Sequence, residues 1–454
     1  MRIESKEYAL GRGHELPVFS LPYFLSDQEL LQNRKTCNKE YAILLWCKCA
    51  ILNCKLSQAV SGESNSMSVF ECRYDLISVD DHIIEPPGVW RDRLPSRYVQ
   101  DGPRVVEDEG REFWEYEGSR VETMGLNAVA GKDRKDFAMD PVRYSDMIEG
   151  CYNPVVRARD LLSNGVRGSL CFPTFPRFAG QRFLLGKDRK LANLCVRAYN
   201  DWMIEEWCAS VPGLYIPMMI GQLWDPDLMA AEIRRCAALG VRAITFPEST
   251  EPFGQPSFHT DHWDPVWTAC VETDMVVCIH IGTSGRTLLP SADAPFTVAI
   301  ALGPMNAQIT FMDLLLSPIP RRFPEIKIAL SEGGIGWVPF ALERIDRTWE
   351  HHRTWAKLED TPPSELFRRN FWVCFIDEGV GIETRNHIGI DRIMWECDYP
   401  HADTPWPHSQ RDVHRTLGGL PESEIAAMTH GNAERLFRWT ERPNIEAILG
   451  RSQS

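Results

Sequence analysis

Eight short apolar runs between residues 76 and 400 alternate with helical segments, and this alternation constrains the fold more than any other feature. The intervening segments, such as 190–210 and 225–240, are amphipathic, and the second ends at Gly240, a favoured helix stop. Such an order is typical of a parallel sheet covered by helices. The runs are LISVDDH (76–82), GVRGSLCFP (165–173), GLYIPMMI (213–220), GVRAITFP (240–247), MVVCIHIG (275–282), EIKIALSEGG (325–334), NFWVCFIDEG (370–379) and DRIMWECDYP (391–400).

Eight strand–helix units predict an α/β fold, a TIM (β/α)8 barrel. A doubly wound open sheet is the alternative, but no G-x-G-x-x-G follows the first run, so its dinucleotide-binding version lacks support. The longest insertion, 83–164, follows the first strand. Its segments PRVVEDEG and REFWEYEGSRV alternate apolar and polar residues around Gly110, which predicts a β-hairpin over the barrel mouth.

Residues 1–70 differ in character from the barrel domain predicted over 71–454. They lack clear periodicity and end near the polar run SGESNSMS, so we expect a poorly ordered extension, with a functional chain that begins near Met67. A short helix from Glu40 to Leu56 that packs on the body is the alternative. The cysteines of this segment lack the paired C-x-x-C spacing of a structural zinc site; they are Cys37, Cys47, Cys49 and Cys54.

Charge and cysteine usage exclude several classes of protein. The formal net charge of −14 argues against a nucleic-acid partner or an anionic membrane surface, because both repel an acidic protein. The 14 cysteines, scattered without repeated spacing, indicate thiols in a reducing compartment. Residues 1–20 hold no signal-peptide core, and the apolar stretch 42–52 is shorter than the ~20 residues of a membrane span. We therefore expect a soluble, cytoplasmic protein.

Ionisable residues stand at the ends of four of the apolar runs. Asp80 and His82 end the first run, His280 ends the fifth, Glu332 the sixth and Asp398 the eighth. An ionisable group at the end of a buried strand is costly unless it is paired, hydrogen-bonded or bound to an ion. Catalytic groups of a TIM barrel emerge at these same strand ends.

The same residue types are those of a transition-metal site. Asp80 and His82 lie two residues apart, so both side chains of a strand point to one face. With His280 and Asp398 they form a set of two nitrogens and two carboxylates, which suits Zn²⁺, Mn²⁺, Fe²⁺ or Co²⁺ better than Ca²⁺ or Mg²⁺. We expect one divalent ion, Zn²⁺ before the others. Taken singly, a D-x-H triplet or a strand-end histidine is more often a turn or core residue.

Several stretches carry a resemblance to a known family: SVDDHIIEPPGVW (78–90), FPTFPRFAG (172–180), VVCIHIGTSG (276–285), RRFPEIKIALSEGGIGWVP (321–339) and ECDYPHADTPWP (396–407). Together they resemble the amidohydrolase superfamily. The resemblance is closest to the amidohydrolase-related branch that includes aminocarboxymuconate-semialdehyde decarboxylase and the resorcylate-type decarboxylases. It covers about residues 76–440 and is specific for the family rather than for one reaction.

The resemblance implies that Asp80, His82, His280 and Asp398 are metal ligands, with Asp398 also touching the reacting group. Two departures stand out. The superfamily's usual first pair is two histidines, and Asp80 takes the first place here. The resembled decarboxylases carry a catalytic histidine at the end of strand six, where this chain has Glu332, and a carboxylate cannot reproduce the positive charge of an imidazolium. Glu332 is therefore a candidate ligand, base or binder of a cationic group, or a capping residue.

Four further residues are candidates around this site. Glu85 follows His82 and is a candidate to orient its imidazole, with a loop-ordering role as the alternative. Arg177 is a candidate clamp for a substrate carboxylate, although a solvated loop arginine is the commoner fate. His401 and Trp337 are expected to line the mouth, with packing the favoured role of Trp337.

Two reactions of a small-molecule substrate fit this set, and a homo-oligomer is compatible with it. The branch resemblance favours non-oxidative decarboxylation of a small carboxylate, such as an aromatic one, with Asp398 moving the proton. Glu332 keeps open the alternative, hydrolysis of a C–N or C–C bond by metal-activated water. A barrel that has lost catalysis and acts as a binding protein is a third possibility, which the retained ligand set argues against.

Overall fold

The computed structural model describes residues 72–449. The predicted extension 1–70, its four cysteines and the predicted helix from Glu40 to Leu56 lie outside the described residues. The nine buried cysteines, from Cys151 to Cys397, are free thiols. This agrees with the thiol prediction for the described part of the chain.

Eight parallel strands follow one another along the chain, each within or overlapping one of the eight predicted runs. The third is interrupted at Pro217 into two short segments. The strands are β1 (Leu76–Ile83), β2 (Val166–Pro173), β3 (Tyr215–Ile216 and Met218–Met219), β4 (Ala243–Thr245), β5 (Val276–His280), β6 (Lys327–Ser331), β7 (Phe371–Phe375) and β8 (Ile393–Trp395).

Neighbours in sequence are neighbours in the sheet. One ladder runs β1-β2-β3 and the other runs β3-β4-β5-β6-β7-β8, so the two segments of β3 link them. All pairings are parallel. Beyond the end of β8, the Asp398 N–H donates to the Asp80 carbonyl at 2.7 Å, and the His82 N–H donates to the Tyr399 carbonyl at 2.7 Å. These two bonds join the segment after β8 to β1.

Alternate residues of the eight strands pack against one another in a single interior cluster. The two-residue side-chain period of a strand explains this selection, since every second residue shares a face. Small residues on β4 and β6 and larger ones on β2 and β3 share the space. The strand residues of the cluster are Ile77, Val79, Leu170, Phe172, Ile216, Met218, Ala243, Val276, Cys278, Ala329, Cys374 and Met394.

Helices follow the strands and cover their outer faces. The eight described helices of eight or more residues are α1 (Pro154–Ser163), α2 (Arg189–Trp202), α3 (Pro226–Ala238), α4 (Asp264–Thr273), α5 (Phe296–Leu316), α6 (Val338–Ala356), α7 (Pro363–Asn370) and α8 (Ser409–Leu417). Shorter helices are Gly88–Arg91, Gln181–Leu184, Ile319–Arg322, Gly379–Glu383, Arg385–Ile388, Glu422–Ala426, Asn432–Phe437 and Ile445–Leu449.

The helix ends follow from local sequence. Asn153, Asp188 and Asp225 accept backbone N–H groups at the start of α1, α2 and α3. Helix α3 ends at Ala238, two residues before Gly240, whose φ of 95° lies in the left-handed region. The predicted stop at Gly240 therefore lies within two residues of the observed end.

The long insertion after β1 contains an antiparallel hairpin, formed by the strands Arg104–Asp108 and Arg111–Tyr116 around Gly110. The strand Ser119–Val121 extends it, and Thr123–Met124 pairs with Pro141–Val142 in a second small sheet. Trp114 packs its ring 4.6 Å from Phe175, in the loop after β2. The hairpin thus lies against the loop that follows the second strand.

Helix α5 is the one described helix long and apolar enough to span a membrane, by length and composition alone. It contacts α6 and α7, which cover the strands. The Thr310 hydroxyl donates to the backbone carbonyl of Glu248 at 3.2 Å, after β4. These contacts place α5 in the helical layer around the sheet.

Candidate metal centre

The irregular end of β1 turns two polar side chains toward the interior. Ile77 and Val79 belong to the interior cluster, and the pairing of β1 with β2 then shifts register between Ser78 and Asp81. After this irregularity, Asp80 and His82 face the other strand ends. Asp81 instead accepts the Ser169 hydroxyl and, at 3.0 Å, the Tyr399 N–H.

Four predicted ligands and Glu332 converge at the ends of β1, β5, β6 and β8. The Nε2 atoms of His82 and His280 lie 2.9 Å apart. The His82 Nε2 lies 3.4 Å from an Asp80 oxygen and 3.5 Å from an Asp398 oxygen. The His280 Nε2 lies 3.3 Å from the other Asp80 oxygen and 3.1 Å from a Glu332 oxygen. Residues more than 300 positions apart in sequence thus meet around one point.

The backbone fixes which nitrogen of His280 faces this point. Its Nδ1 lies 2.6 Å from the Ile281 carbonyl, an acceptor, so Nδ1 carries the proton and Nε2 presents a lone pair. Metal-bound imidazoles use their other N–H in the same way. His280 is therefore oriented as a ligand by its own strand end.

Two carboxylates at the centre lack hydrogen-bond donors among the described residues. Both side-chain oxygens of Asp80 and both of Asp398 are buried without such a partner. Nitrogen ligands about 2.1 Å from an ion lie roughly 3.0 Å apart in an octahedral shell and 3.4 Å apart in a tetrahedral one. The observed separations of 2.9–3.5 Å match these values. Asp80, His82 and His280 fit a divalent cation, and Asp398 forms a second such group with His82 and His401.

Burial drives Asp80 and His82 toward their neutral forms when no ion is present. It raises the pKa of Asp80 well above its ordinary value, and the neighbouring Glu396 adds to the effect. Burial lowers the pKa of His82 well below its ordinary value, as does the nearby His401. Neutral imidazoles are the form that binds metals, and a cation would restore the charge balance of the carboxylates.

Two of these residues have unusual backbone conformations. Glu332 and Asp398 both have a φ of 55°, in the left-handed region that favours glycine. For a residue with a side chain this costs of order 1–3 kcal/mol, and such strain clusters at functional sites. The same turn that strains Glu332 brings its carboxylate beside His280.

Comparison with known proteins agrees with this geometry. A family model for amidohydrolases matches residues 153–439. The chain belongs to the amidohydrolase family. It is 28% identical over 273 residues to the gamma-resorcylate decarboxylase of Rhizobium radiobacter. The alignment covers 55% of this chain and 78% of that relative. The chain is an enzyme of this family, and the relative named here is a resorcylate decarboxylase.

Solved structures share the fold of this amidohydrolase. An amidohydrolase from Mycobacterium avium subsp. paratuberculosis aligns with a TM-score of 0.61 at 21% identity, over 80% of this chain and 99% of that one. A dihydroxybenzoic acid decarboxylase from Polaromonas sp., solved with bound manganese and the inhibitor 2-nitroresorcinol, aligns with a TM-score of 0.52 at 18% identity, over 80% and 96% of the two chains. The α/β architecture with parallel strands is therefore that of the family.

Three residues of this amidohydrolase's centre were missed or underestimated in the sequence. Glu396 is buried beside the site and accepts the Glu332 N–H at 3.2 Å. His401, expected at the mouth, stacks on His82 at 3.6 Å with Nδ1 3.2 Å from Asp398. Phe178 packs its ring 4.4 Å from that of His82. Of the three, only Glu396 could have been found from spacing. It lies two residues before Asp398, and residues two apart at a strand end point to the same face.

The other predicted site residues lie farther from the ligands or are held by the backbone. The Glu85 carboxylate accepts the N–H groups of Thr174 and Phe175 at 2.9 and 2.8 Å, and the Nδ1 of His82 has no partner among the described residues. These contacts are those of the loop-ordering alternative. They do not orient His82.

The two substrate-binding candidates of the loops have different surroundings. The Arg177 side chain is exposed and, with Arg182 and Tyr116, lines a surface cavity of about 130 Å³. Trp337 is half-buried, donates its indole N–H to the Gly333 carbonyl at 2.7 Å and packs on Phe311. The contacts of Trp337 are packing contacts, as the sequence favoured.

Proposed function

We propose that this amidohydrolase is a divalent-metal-dependent carboxy-lyase that removes CO2 without oxidation from a small aromatic carboxylate. The observation that carries the proposal is the convergence of Asp80, His82 and His280, with separations suited to one ion and with Asp398 beside His82, in a member of a family whose named relatives are decarboxylases.

Asp80, His82, His280 and Asp398 would hold the ion. When bound, it would supply Lewis-acid polarisation of substrate oxygens. Two imidazoles and two carboxylates suit Zn²⁺, which we expect first, and also Mn²⁺, the ion in the Polaromonas structure.

The chain's own groups would carry the proton. Decarboxylation replaces the carboxylate on a ring carbon by hydrogen, so a proton must reach that carbon as CO2 leaves. Asp398 lies at the centre, with a carboxylate oxygen 3.5 Å from the His82 Nε2, and a carboxylate there can carry a proton to the reacting carbon. We assign this transfer to Asp398. Phe178, packed against both ligand imidazoles, would exclude water from it.

Glu332 supports hydrolysis as a second candidate function. Its carboxylate lies 3.1 Å from the His280 Nε2, where the resembled decarboxylases carry a catalytic histidine. A carboxylate here can accept a proton from water, and its negative charge opposes an anionic substrate. We assign Glu332 to the catalytic set in either reaction.

The remaining parts of the proposal concern fold, binding and location. We propose that the eight strands form one closed barrel, supported by the interior cluster that draws on all eight and by the backbone bonds from Asp398 and Tyr399 to β1. Arg177 and His401 are proposed to contact the small-molecule substrate. A cytoplasmic location and a homo-oligomer complete the proposal.

Substrate profiling of the metal-reconstituted protein tests the reaction. We expect CO2 and the decarboxylated phenol from a panel of hydroxybenzoates after loading with Zn²⁺ or Mn²⁺, and no turnover after chelation. Acid production from amides or lactones, without CO2 from the first panel, would contradict the lyase and support the hydrolase.

Two histidine variants provide the matched control. His280→Ala removes a proposed ligand, whereas His351→Ala removes an exposed imidazole on α6. We expect turnover to be lost only in the first. Equal activity of the two variants would contradict the proposed centre.

A further inference from the structure

A buried carboxylate that the proposed mechanism does not use lies at the end of the β4 segment. Glu248 is 2% exposed and sits three residues after Thr245, the last residue of β4. Its Oε2 accepts the N–H groups of Thr283 and Ser284 at 3.0 and 2.9 Å. Both donors belong to the loop that begins directly after the ligand His280. A buried carboxylate that binds two backbone N–H groups fixes the path of that loop.

Thr283 carries this constraint back to the ligand. Its hydroxyl accepts the Glu248 N–H at 2.9 Å and donates to the His280 carbonyl at 2.6 Å. One hydroxyl thus joins the backbone after β4 to the backbone of the ligand itself. The His280 ring is held in turn by its bond to the Ile281 carbonyl, one residue along.

The same loop is tied to the segment after β2. The Gln181 amide donates to the Thr283 carbonyl at 3.0 Å and accepts the Ala179 N–H at 3.0 Å. Ala179 follows Phe178, whose ring packs 4.6 Å from His280. Three loops therefore meet at Thr283, and all three flank the imidazole that faces the proposed ion.

We propose that Glu248 and Thr283 are positioning residues that fix the backbone and ring of His280 in the orientation that binds the metal ion. The proposal rests on the proposed metal centre. It assigns no contact with substrate to either residue. Groups that orient metal ligands typically change metal affinity by tenfold to a hundredfold when they are mutated.

Metal affinity of purified variants tests the proposal. We expect Thr283→Val, which keeps the shape but removes the hydroxyl, to weaken Zn²⁺ binding about tenfold or more in competition with a chromophoric chelator. Glu248→Gln should weaken it in the same direction. Thr283→Ser restores the hydroxyl and should restore the affinity. Glu325→Gln, which changes an exposed carboxylate in the loop before β6, is the control that should leave it unchanged.

A spectroscopic readout separates positioning from a general loss of stability. We expect the visible absorption of the Co²⁺-loaded protein to change in Thr283→Val and to match the unmodified protein in Thr283→Ser. Variants that unfold at lower urea but keep the affinity and the Co²⁺ spectrum would overturn the positioning role. An unmodified protein that binds no divalent ion would overturn the metal centre itself, and the inference with it.

Discussion

Substitution of Asp398 by Asn should have opposite effects on the metal-free and metal-loaded protein. Asp398 is fully buried, and neither of its carboxylate oxygens has a hydrogen-bond partner among the described residues. Asn has nearly the same shape and tolerates the left-handed backbone at this position, where φ is 55°. The substitution therefore removes a charge with little steric change.

The size of the effect follows from the cost of burying an unpaired polar group. Asn is as polar as a protonated carboxyl, so the variant gains only what ionisation costs the carboxyl of Asp398. A buried unpaired charge costs more than the about 1–3 kcal/mol of a neutral unpaired group, so above the ordinary pKa the metal-free variant should be more stable by about 1 kcal/mol or more. At about 2 °C per kcal/mol, Tm should rise by roughly 2 °C or more. With metal, the variant loses a charged ligand, so affinity should fall at least tenfold and turnover should be abolished.

The pH dependence has a definite sign. Burial, with Glu332, raises the folded-state pKa of Asp398 above its ordinary value of 3.8, so its ionisation disfavours the fold. The contribution of Asp398 to the stability of the metal-free protein is greatest below that ordinary value and is lost as the pH rises through the folded-state pKa. The gain in Asp398→Asn should therefore be larger at pH 8 than at pH 5.

Thermal denaturation with chelator and with added Zn²⁺, at both pH values, measures these effects. A less stable metal-free variant would show that the carboxylate has a partner we have not identified. Unchanged metal affinity or near-normal turnover would exclude Asp398 as ligand or proton carrier.

Three further predictions concern groups around the centre. Arg157→Met should lower the free energy of unfolding in urea by about 3 kcal/mol, because the buried guanidinium donates to two backbone carbonyls. The control Arg159→Met changes an exposed arginine and should leave the free energy of unfolding unchanged. Arg177→Gln should raise KM for a carboxylate substrate about tenfold at unchanged kcat, with Arg344→Gln, on the exposed face of α6, as control; an unchanged KM would remove Arg177 from the substrate site. Burial raises the pKa of Glu85 to about 7. The stability that this carboxyl contributes at a pH below its ordinary pKa of 4.5 is therefore lost as the pH rises through 7. The free energy of unfolding of Glu85→Gln, relative to that of the unmodified protein, should therefore rise by up to about 3 kcal/mol between pH 5 and pH 8. A difference between the two proteins in urea denaturation that does not change with pH would contradict this.

The strand ends were predictable because one rule applies to all of them. Buried parallel strands read as apolar runs, and an ionisable residue that closes such a run must find a partner. Asp80, His82, His280 and Asp398 are the residues that this rule selects; the first three lie together, and Asp398 lies beside His82. The resemblance to the family added the reaction class.

Residues on loops were harder to predict, since a loop's path depends on contacts distant in sequence. His401 reaches His82 only because the chain turns back after β8. Glu248 and Thr283 meet across two loops that no spacing rule relates. For Glu85, proximity in sequence pointed to the wrong partner. It lies three residues from His82, but its carboxylate binds the N–H groups of Thr174 and Phe175.

The central claim, one divalent ion held by two imidazoles and two carboxylates, is tested most directly by metal analysis combined with X-ray absorption spectroscopy of the loaded protein. We expect about one ion per chain, with two imidazole nitrogens at about 2.1 Å and oxygen ligands completing the shell. The ion should be lost in His82→Ala. An ion bound without imidazole, or uptake unchanged in that variant, would contradict the account.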